Sequence, residues 1–338
     1  MKRLTLVILL GVLLGQIIFL LIFGAGEDFW AHYLVGRFLL GWISPTELHL
    51  QWPYPFGYDQ LLPETVLVLP FALLPPELAL FLWTFLIFIG QLLAFRLLMH
   101  SWELAVAASC WPPRFVAIWM GQMTPILLLA WGMSEFILSR KGRSGLIMSL
   151  AMVKPHLTPP LFVPRLFRYH RRWILGLALG LLLWIISLPL SPLIPLSGST
   201  EGFFTRWFLA NPLSVSLPGQ LYSLDWKVQL VISLVGLGAV FALWWNCRKD
   251  ELLLVGFLFF FPHIRVYDLP ILGPILPLLT SSKLGVIAIA TISLGALLSL
   301  RFLWPWVNTI GLGLAFVSLL QTRDTTWKMP NRAKRGFV

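Results

Sequence analysis

Apolar residues occur along this chain in long runs that are separated by short polar clusters. The first run extends from about Leu4 to Phe23, and about 20 apolar residues are what an α-helix needs to cross the hydrocarbon core of a bilayer. Later apolar runs lie near 66–74, 78–99, 104–120, 123–138, 144–163, 173–196, 228–246, 252–262, 269–281, 284–300 and 302–320. The pattern predicts an all-α, polytopic integral membrane protein with roughly 9–11 transmembrane helices.

The first apolar run has two interpretations. It follows Met1-Lys2-Arg3 and precedes small residues at Gly24–Gly26, as the core of a signal peptide does. A signal core is usually only about 7–15 residues long. The length of this run therefore favours a helix that is retained in the membrane.

The run at 144–163 is interrupted by Lys154-Pro155. Each half is long enough to reach only part of the way across a hydrocarbon core of about 30 Å. Irregular backbone at membrane depth is tolerated where it is packed in protein or lines a polar cavity. The sequence predicts a broken pair of short helices that enters the membrane and returns to the same side.

Composition supports this class and excludes others. Hydrophobic residues make up 58% of the chain and charged residues only 12%, whereas a soluble domain has about 25% charged residues. The net charge of +11 sits in short clusters between apolar runs, which argues against nucleic acid as a partner. Cys110 and Cys247 lie in or beside apolar runs without a Cys/His metal-ligand spacing, so we expect neither a disulfide framework nor a zinc site.

Lysine and arginine predict the orientation. With the amino end inside and alternating spans, 18 of the 25 basic residues fall on the cytoplasmic side, as the positive-inside rule requires. This places both termini in the cytoplasm and the protein in the cell membrane. The chain is predicted to be a single transmembrane domain over 1–338, with an extracytoplasmic loop at 24–76, a second one at 197–227 and a basic cytoplasmic tail at 321–338.

The first outer loop carries a candidate base. Asp28 follows the first helix at the water boundary, where partial burial of a carboxylate favours proton uptake. The alternative is an ordinary interfacial acid at the start of a helix, where negative charge is favourable. Tyr33, Arg37 and Leu40 follow helical spacing, which predicts a short helix on the membrane surface. A proline-stiffened loop with Tyr54 comes next.

Further polar residues are predicted to face the same side as Asp28. Basic groups at membrane depth are expensive and are usually paired or functional, and together they can bind a phosphate. The alternatives are a snorkelling lysine, an ion pair between Arg265 and Asp268 that joins two helices, structural histidines, and a glutamine that bridges helices. The residues concerned are Gln122, Lys154, His156, His263, Arg265, Tyr267 and Asp268.

The order of these motifs resembles glycosyltransferase family 87, a family of polytopic enzymes with the GT-C fold. The resemblance extends over residues 20–280. It rests on the acid after the first helix, the aromatic-proline loop, the segment Pro70–Pro75, the Gly121-Gln122 pair, Val153-Lys154-Pro155 after a basic loop, and Tyr267-Asp268-Leu269.

The resemblance implies an inverting enzyme that moves a hexose, with mannose favoured, from a polyprenyl-phosphate donor to an extracytoplasmic lipid or glycan acceptor. Asp28 then matches the general base. Lys154, His156, His263 and Arg265 are implied to bind the donor phosphate. No cofactor is expected, because the sugar lipid is a co-substrate, although a divalent metal stays open. Residues implied to contact the sugar or acceptor are Arg37, Tyr54, Gln122, Tyr267 and Asp268.

Two other classes of function remain open from the sequence. Broken helices and buried cations also occur in transporters and lipid flippases, although the chain shows no internal repeat. A non-catalytic membrane subunit of an envelope-assembly complex is the second alternative. It would tolerate loss of Asp28 and Lys154 together.

Overall fold

The computed structural model describes residues 3–23, 26–51, 62–138, 140–187, 214–221, 223–299 and 305–322. Tyr54, most of the 197–227 loop and nearly all of the tail at 321–338 lie outside these ranges. The described residues form 17 α-helices and no strand. The helices are α1 (Arg3–Phe23), α2 (Glu27–Leu39), α3 (Pro45–Gln51), α4 (Leu62–Ala72), α5 (Pro76–Met99), α6 (Trp102–Ser109), α7 (Pro112–Trp119), α8 (Thr124–Phe136), α9 (Lys141–Ser149), α10 (Pro159–Arg168), α11 (Arg171–Ser187), α12 (Leu217–Gln220), α13 (Trp226–Cys247), α14 (Asp250–Phe260), α15 (Leu276–Leu279), α16 (Lys283–Ser299) and α17 (Trp306–Gln321).

Three 3₁₀ segments interrupt or join these helices. They cover Leu150–Val153, Pro155–Leu157 and Val266–Ile275. Such tight turns are frequent where a helix breaks or connects to another element. The first two segments lie at the interruption predicted around Lys154-Pro155, and the third contains Asp268.

Several helices begin where the local chemistry favours a helix start. The side chain of Ser101 accepts a hydrogen bond from the Leu104 amide at 3.3 Å, and Asp225 does the same for the Lys227 amide at 2.8 Å. These bonds satisfy amides that would otherwise lack partners at a helix N-terminus. In α7 the first residue is Pro112, whose fixed backbone angle suits that position.

The fold is that of an all-α membrane protein, as the sequence predicts. Within the described residues, α5 and α13 are long and apolar enough to cross a bilayer on their own, and α7 with α8 forms a candidate span bent by 116°. The lipid-facing side of α13 is apolar, with Val231, Leu234 and Val235 each more than half exposed. The number of crossings and the GT-C-like arrangement stay predictions.

The broken stretch at 144–163 folds back on itself. Helices α9 and α11 run in the same direction, because Gly142 faces Gly176 and Ser149 faces Gly180 at distances that leave no room for a Cβ on either α11 glycine. Small residues permit this close approach of two helices. The intervening α10 must therefore return toward the end at which α9 begins. The predicted break is present and the chain reverses there, whereas entry into the membrane and return to the same side stay a prediction.

The surface helix predicted after Asp28 is α2. It packs against α4, and the buried ring of His32 lies 3.0 Å from the Thr65 hydroxyl. Phe29 is fully buried and stacks on Trp83 of α5, with ring centroids 5.6 Å apart. Thus α2 contacts protein along its inner face, and its start is fixed against the helical bundle.

Candidate active site

The start of α2 is bound to the end of α7 through the backbone. The Gly26 amide donates to the Trp119 carbonyl at 2.7 Å, and the Asp28 amide donates to the Met120 carbonyl at 3.1 Å. The first amides and the last carbonyls of a helix lack partners inside that helix. Here the free amides of one helix meet the free carbonyls of another, and this match fixes the backbone of Asp28.

Gly121 makes this contact possible. Its φ of 73° lies in the left-handed region, and a Cβ at this position would lie 2.9 Å from both Gly26 Cα and Phe29 Cβ. Its carbonyl accepts a hydrogen bond from the Trp83 indole at 3.0 Å. Only glycine combines this angle with so close a neighbour. The chain bends here between α7 and α8, and the bend carries Gln122 into the bundle next to the start of α2.

Lys154 meets Gln122 at the tip of the broken pair. Its ammonium donates to Gln122 Oε1, lies 3.7 Å from Asp268 Oδ1 and sits 4.9 Å from the centre of the Tyr267 ring. Lys154 is 7% exposed, so it does not snorkel to water. A buried ammonium held by an amide oxygen, a carboxylate and an aromatic face is a fixed positive charge.

Asp268 is the centre of the polar contacts. Its Oδ2 lies 3.3 Å from His156 Nε2 and accepts from the Arg265 amide at 3.0 Å, while its Oδ1 accepts from the Thr124 hydroxyl at 3.4 Å. Asp268 has no exposed surface. The sequence did not single out Thr124. Its position two residues after Gln122, at the start of α8, is the signal that could have identified it.

Two further basic side chains complete the group. The His263 ring lies 5.7 Å from the His156 ring and perpendicular to it. Arg265 has an extended backbone just before the 3₁₀ segment, and its Nε is buried without a hydrogen-bond partner among the described residues. We call the group formed by Lys154, His156, His263, Arg265 and Asp268 the cation cluster.

The segment that carries His263 and Arg265 is supported by residues 214–215, which belong to the stretch predicted as the second outer loop. The Val215 amide donates to the Ile264 carbonyl at 2.7 Å, and the Ser214 hydroxyl lies 3.0 Å from the Pro262 carbonyl. Thr309 of α17 donates in turn to the Val215 carbonyl at 2.8 Å. Nothing in the sequence indicated this support, because it joins residues that are distant along the chain.

Asp28 is connected to the cation cluster through the turn after α7. Its side chain is half-buried, and its amide is bound to Met120, two residues before the Gln122 that contacts Lys154. The position at the start of α2 favours a negative charge. Asp28 therefore fits the interpretation as an ordinary acid at the start of a helix. It also lies near the residues that were predicted to act with it.

Arg37 is not part of this assembly. Arg37 donates to the Tyr33 hydroxyl at 3.0 Å and stacks on Trp42. It is nine residues beyond Asp28 on α2, which corresponds to about 13 Å along the helix. Tyr54 lies outside the described residues. The predicted contacts of both side chains with sugar or acceptor stay predictions.

Segments that are far apart in the sequence thus meet in one place. They contribute one half-buried carboxylate, a fully buried carboxylate and four basic side chains. Such an arrangement can accept a proton at the carboxylate and hold an anion at the cations. Within the described part of the chain, no group of three or more His, Cys, Asp or Glu is placed to hold a metal ion.

Comparison with known proteins gives one family. The model of glycosyltransferase family 87 matches residues 63–262, more than half of the chain. Gln122, Lys154 and His156 lie inside this range, whereas Asp28 and the segment 263–268 lie outside it. No curated protein and no solved structure gives a significant match.

Proposed function

Since the chain belongs to glycosyltransferase family 87 and is a membrane glycosyltransferase, we propose that it moves a hexose, mannose in the first instance, from a polyprenyl-phosphate donor to an extracytoplasmic lipid or glycan acceptor. The observation that carries the proposal is that the start of α2, which carries Asp28, packs on the turn whose Gln122 contacts Lys154 of the cation cluster. A transferase of this kind needs a base for the acceptor and positive charge for the leaving phosphate, and both are present on adjoining elements.

Asp28 is proposed as the general base. The acceptor hydroxyl gives its proton to the Asp28 carboxylate while its oxygen attacks the anomeric carbon. The bond from that carbon to the phosphate oxygen breaks on the opposite face, and the polyprenyl phosphate leaves with the electron pair. Attack opposite to the leaving group inverts the anomeric configuration. The half-buried position of Asp28 supports this role, because the acceptor can reach it.

The cation cluster is proposed to bind the donor phosphate. Positive charge at the leaving oxygen stabilises the charge that develops as the glycosidic bond breaks. Lys154 and His156 are both in contact with Asp268, whereas Arg265 has a buried nitrogen without a hydrogen bond. Arg265 is therefore the cation with the most capacity for a new anionic partner, and His263 stands beside it.

Gln122 and Tyr267 are proposed to contact the sugar. Gln122 Oε1 accepts from Lys154, which leaves the amide nitrogen of the side chain to donate to sugar hydroxyls. The Tyr267 ring lies next to Lys154 and near Asp28. Arg37 and Tyr54 are kept as candidates for the acceptor side. The extracytoplasmic location of the site and the cytoplasmic termini belong to the same proposal.

The experiment is transfer of labelled sugar from polyprenyl-phosphate mannose to lipid acceptors in proteoliposomes. Asp28→Asn should lower kcat by about 10³-fold, since a positioned base contributes about 10²–10⁴-fold. Asp225→Asn is the matched control. Asp225 caps α13 at an exposed site, and asparagine caps a helix equally well.

Other outcomes distinguish the alternatives. Full transfer by Asp28→Asn would refute the base assignment. Absence of transfer by the wild type with mannose, glucose and galactose donors would refute the donor class. Movement of the lipid donor across the bilayer without transfer would favour a flippase. Absence of both activities would favour the non-catalytic subunit.

A further inference from the structure

We infer that Asp268 is a positioning residue, a buried carboxylate that holds the Lys154 ammonium and the His156 ring where the donor phosphate meets them. This inference rests on the proposed function and changes one part of the sequence-based assignment, which placed Asp268 against the sugar or acceptor. It concerns how the site is held together rather than which groups contact the substrate.

The contacts of Asp268 leave no capacity for a substrate. A carboxylate has about four lone-pair sites. Oδ1 faces the Thr124 hydroxyl and Lys154, and Oδ2 faces His156 and the Arg265 amide. The residue has no exposed surface. A sugar hydroxyl could reach Asp268 only by displacing one of these partners, so direct binding is the poorer interpretation.

The carboxylate is itself held firmly by the backbone. The Asp268 amide donates to the Arg265 carbonyl at 3.0 Å, and the Asp268 carboxylate accepts a hydrogen bond from the Arg265 amide. Pro270 and Pro274 restrict the rest of the 3₁₀ segment, which is buried from Leu269 to Ile275. The oxygen atoms therefore have a position set by the main chain, and flexible partners must adapt to them.

Lys154 is the partner that needs such a fixed point. A lysine side chain has four rotatable bonds and loses much rotamer freedom when it is ordered. Asp268 and Gln122 restrain the ammonium from two sides. Asp268 also supplies negative charge among four basic side chains. Without it, the cations would repel one another before a phosphate arrives.

Asp268 is not proposed as a second base. A base must come within hydrogen-bond reach of the proton that it takes. Asp28 is half-buried at the edge of the site, whereas Asp268 is enclosed by its own partners. Asp268 therefore acts on the reaction through Lys154 and His156, and its removal should be felt only while these partners are present.

A double-mutant cycle tests this dependence. Lys154→Ala and Asp268→Asn should each lower kcat/KM for the donor by about 10²-fold. The double variant should lose about 10²–10³-fold, because the carboxylate acts mainly through the lysine and to a smaller extent through His156, whereas independent roles would multiply to about 10⁴-fold. Losses that multiply, or an Asp268→Asn enzyme equal to the wild type, would overturn the inference. KM for the acceptor should not change.

A second measurement does not depend on catalysis. Acylation of Lys154 by an amine-reactive reagent, followed by peptide mass spectrometry, should increase several-fold in Asp268→Asn, because the amine is released from its ion pair. Exposed Lys227 is the internal reference. Asp268→Glu, which keeps the charge, should label as slowly as the wild type and stands in if the asparagine variant does not fold. Unchanged labelling in Asp268→Asn, or fast labelling in Asp268→Glu despite its retained charge, would overturn the inference even if sugar transfer itself were never found.

Discussion

Two charged regions of the described chain differ in how their charges are balanced. In the cation cluster, four basic side chains surround one fully buried carboxylate. In the second region, which we call the paired-charge region, Arg165 is bound to Glu135 and Arg168 forms a two-pronged contact with Asp250 at 2.6 and 2.7 Å. Each arginine there has its own acid. An excess of cations indicates a place for an anion, whereas one-to-one pairs indicate a structural role.

The two regions are joined by the same elements. The 3₁₀ segment begins near Asp268 in the cation cluster and ends at Ile275, which lines a cavity of about 190 Å³ in the paired-charge region. Asp268 and Ile275 are seven residues apart in this segment, which corresponds to about 14 Å at 2.0 Å per residue. One fold therefore places unbalanced and balanced charge at two separate places in the same bundle. This difference can be tested by matched substitutions.

The largest effect is expected from removing an arginine in the unbalanced region. Arg265→Gln should lower kcat/KM for the donor by about 10²–10³-fold, since it removes charge at the leaving phosphate. Arg168→Gln is the matched change in the paired-charge region. It should alter transfer by less than about twofold, because exposed ion pairs contribute little. Equal losses in initial-rate assays of the two variants would show that the two regions do not differ in function.

A smaller effect is expected from Gly121, which lies between α7 and α8 and contacts the start of α2. Gly121→Ala would place a Cβ against Gly26 and Phe29 and so shift the start of α2, which carries Asp28. A displacement of about 1 Å can lower the rate by about 10²-fold, and we expect a loss of about 10–10²-fold.

Gly41→Ala provides the control for Gly121→Ala. Gly41 has nearly the same φ, 71°, but a Cβ there would meet nothing within 4 Å. It should keep transfer within about twofold of the wild type, since only backbone strain changes. Similar losses in the two variants would assign the effect to strain, and the contact between α2 and α7 would lose its role in placing Asp28.

Sequence reasoning found most of the charged residues but not the contacts that organise them. The apolar runs predicted an all-helical membrane protein, and Lys154-Pro155 predicted the broken pair, because both depend on local composition and on proline. The partners of Asp268 could not be predicted from the sequence, because they come from α8, from the broken pair and from its own turn. Which side of a helix a carboxylate faces, and how many donors reach it, is decided by tertiary packing.

The same limit applies to Gly121 and to the loops. The sequence marks Gly121-Gln122 as a motif, but only the structure shows that Gly121 packs against Gly26. The positive φ and the close neighbour are properties of the assembled chain. Arg37 followed the helical spacing correctly, yet spacing alone could not show that its guanidinium contacts Tyr33 and Trp42.

The smallest effect on transfer is expected from the buried pair of the paired-charge region. Glu135→Gln should leave the Arg165 charge buried without its acid and destabilise the protein by about 3–5 kcal/mol. The double change Glu135→Leu with Arg165→Met should recover most of that loss, because apolar side chains of similar size carry no desolvation cost. Thermal aggregation in detergent measures stability, and transfer per folded molecule should stay at the wild-type level in both. A tenfold fall in that specific activity would mean that the paired charges also serve the reaction, since a purely structural pair affects only how much protein is folded.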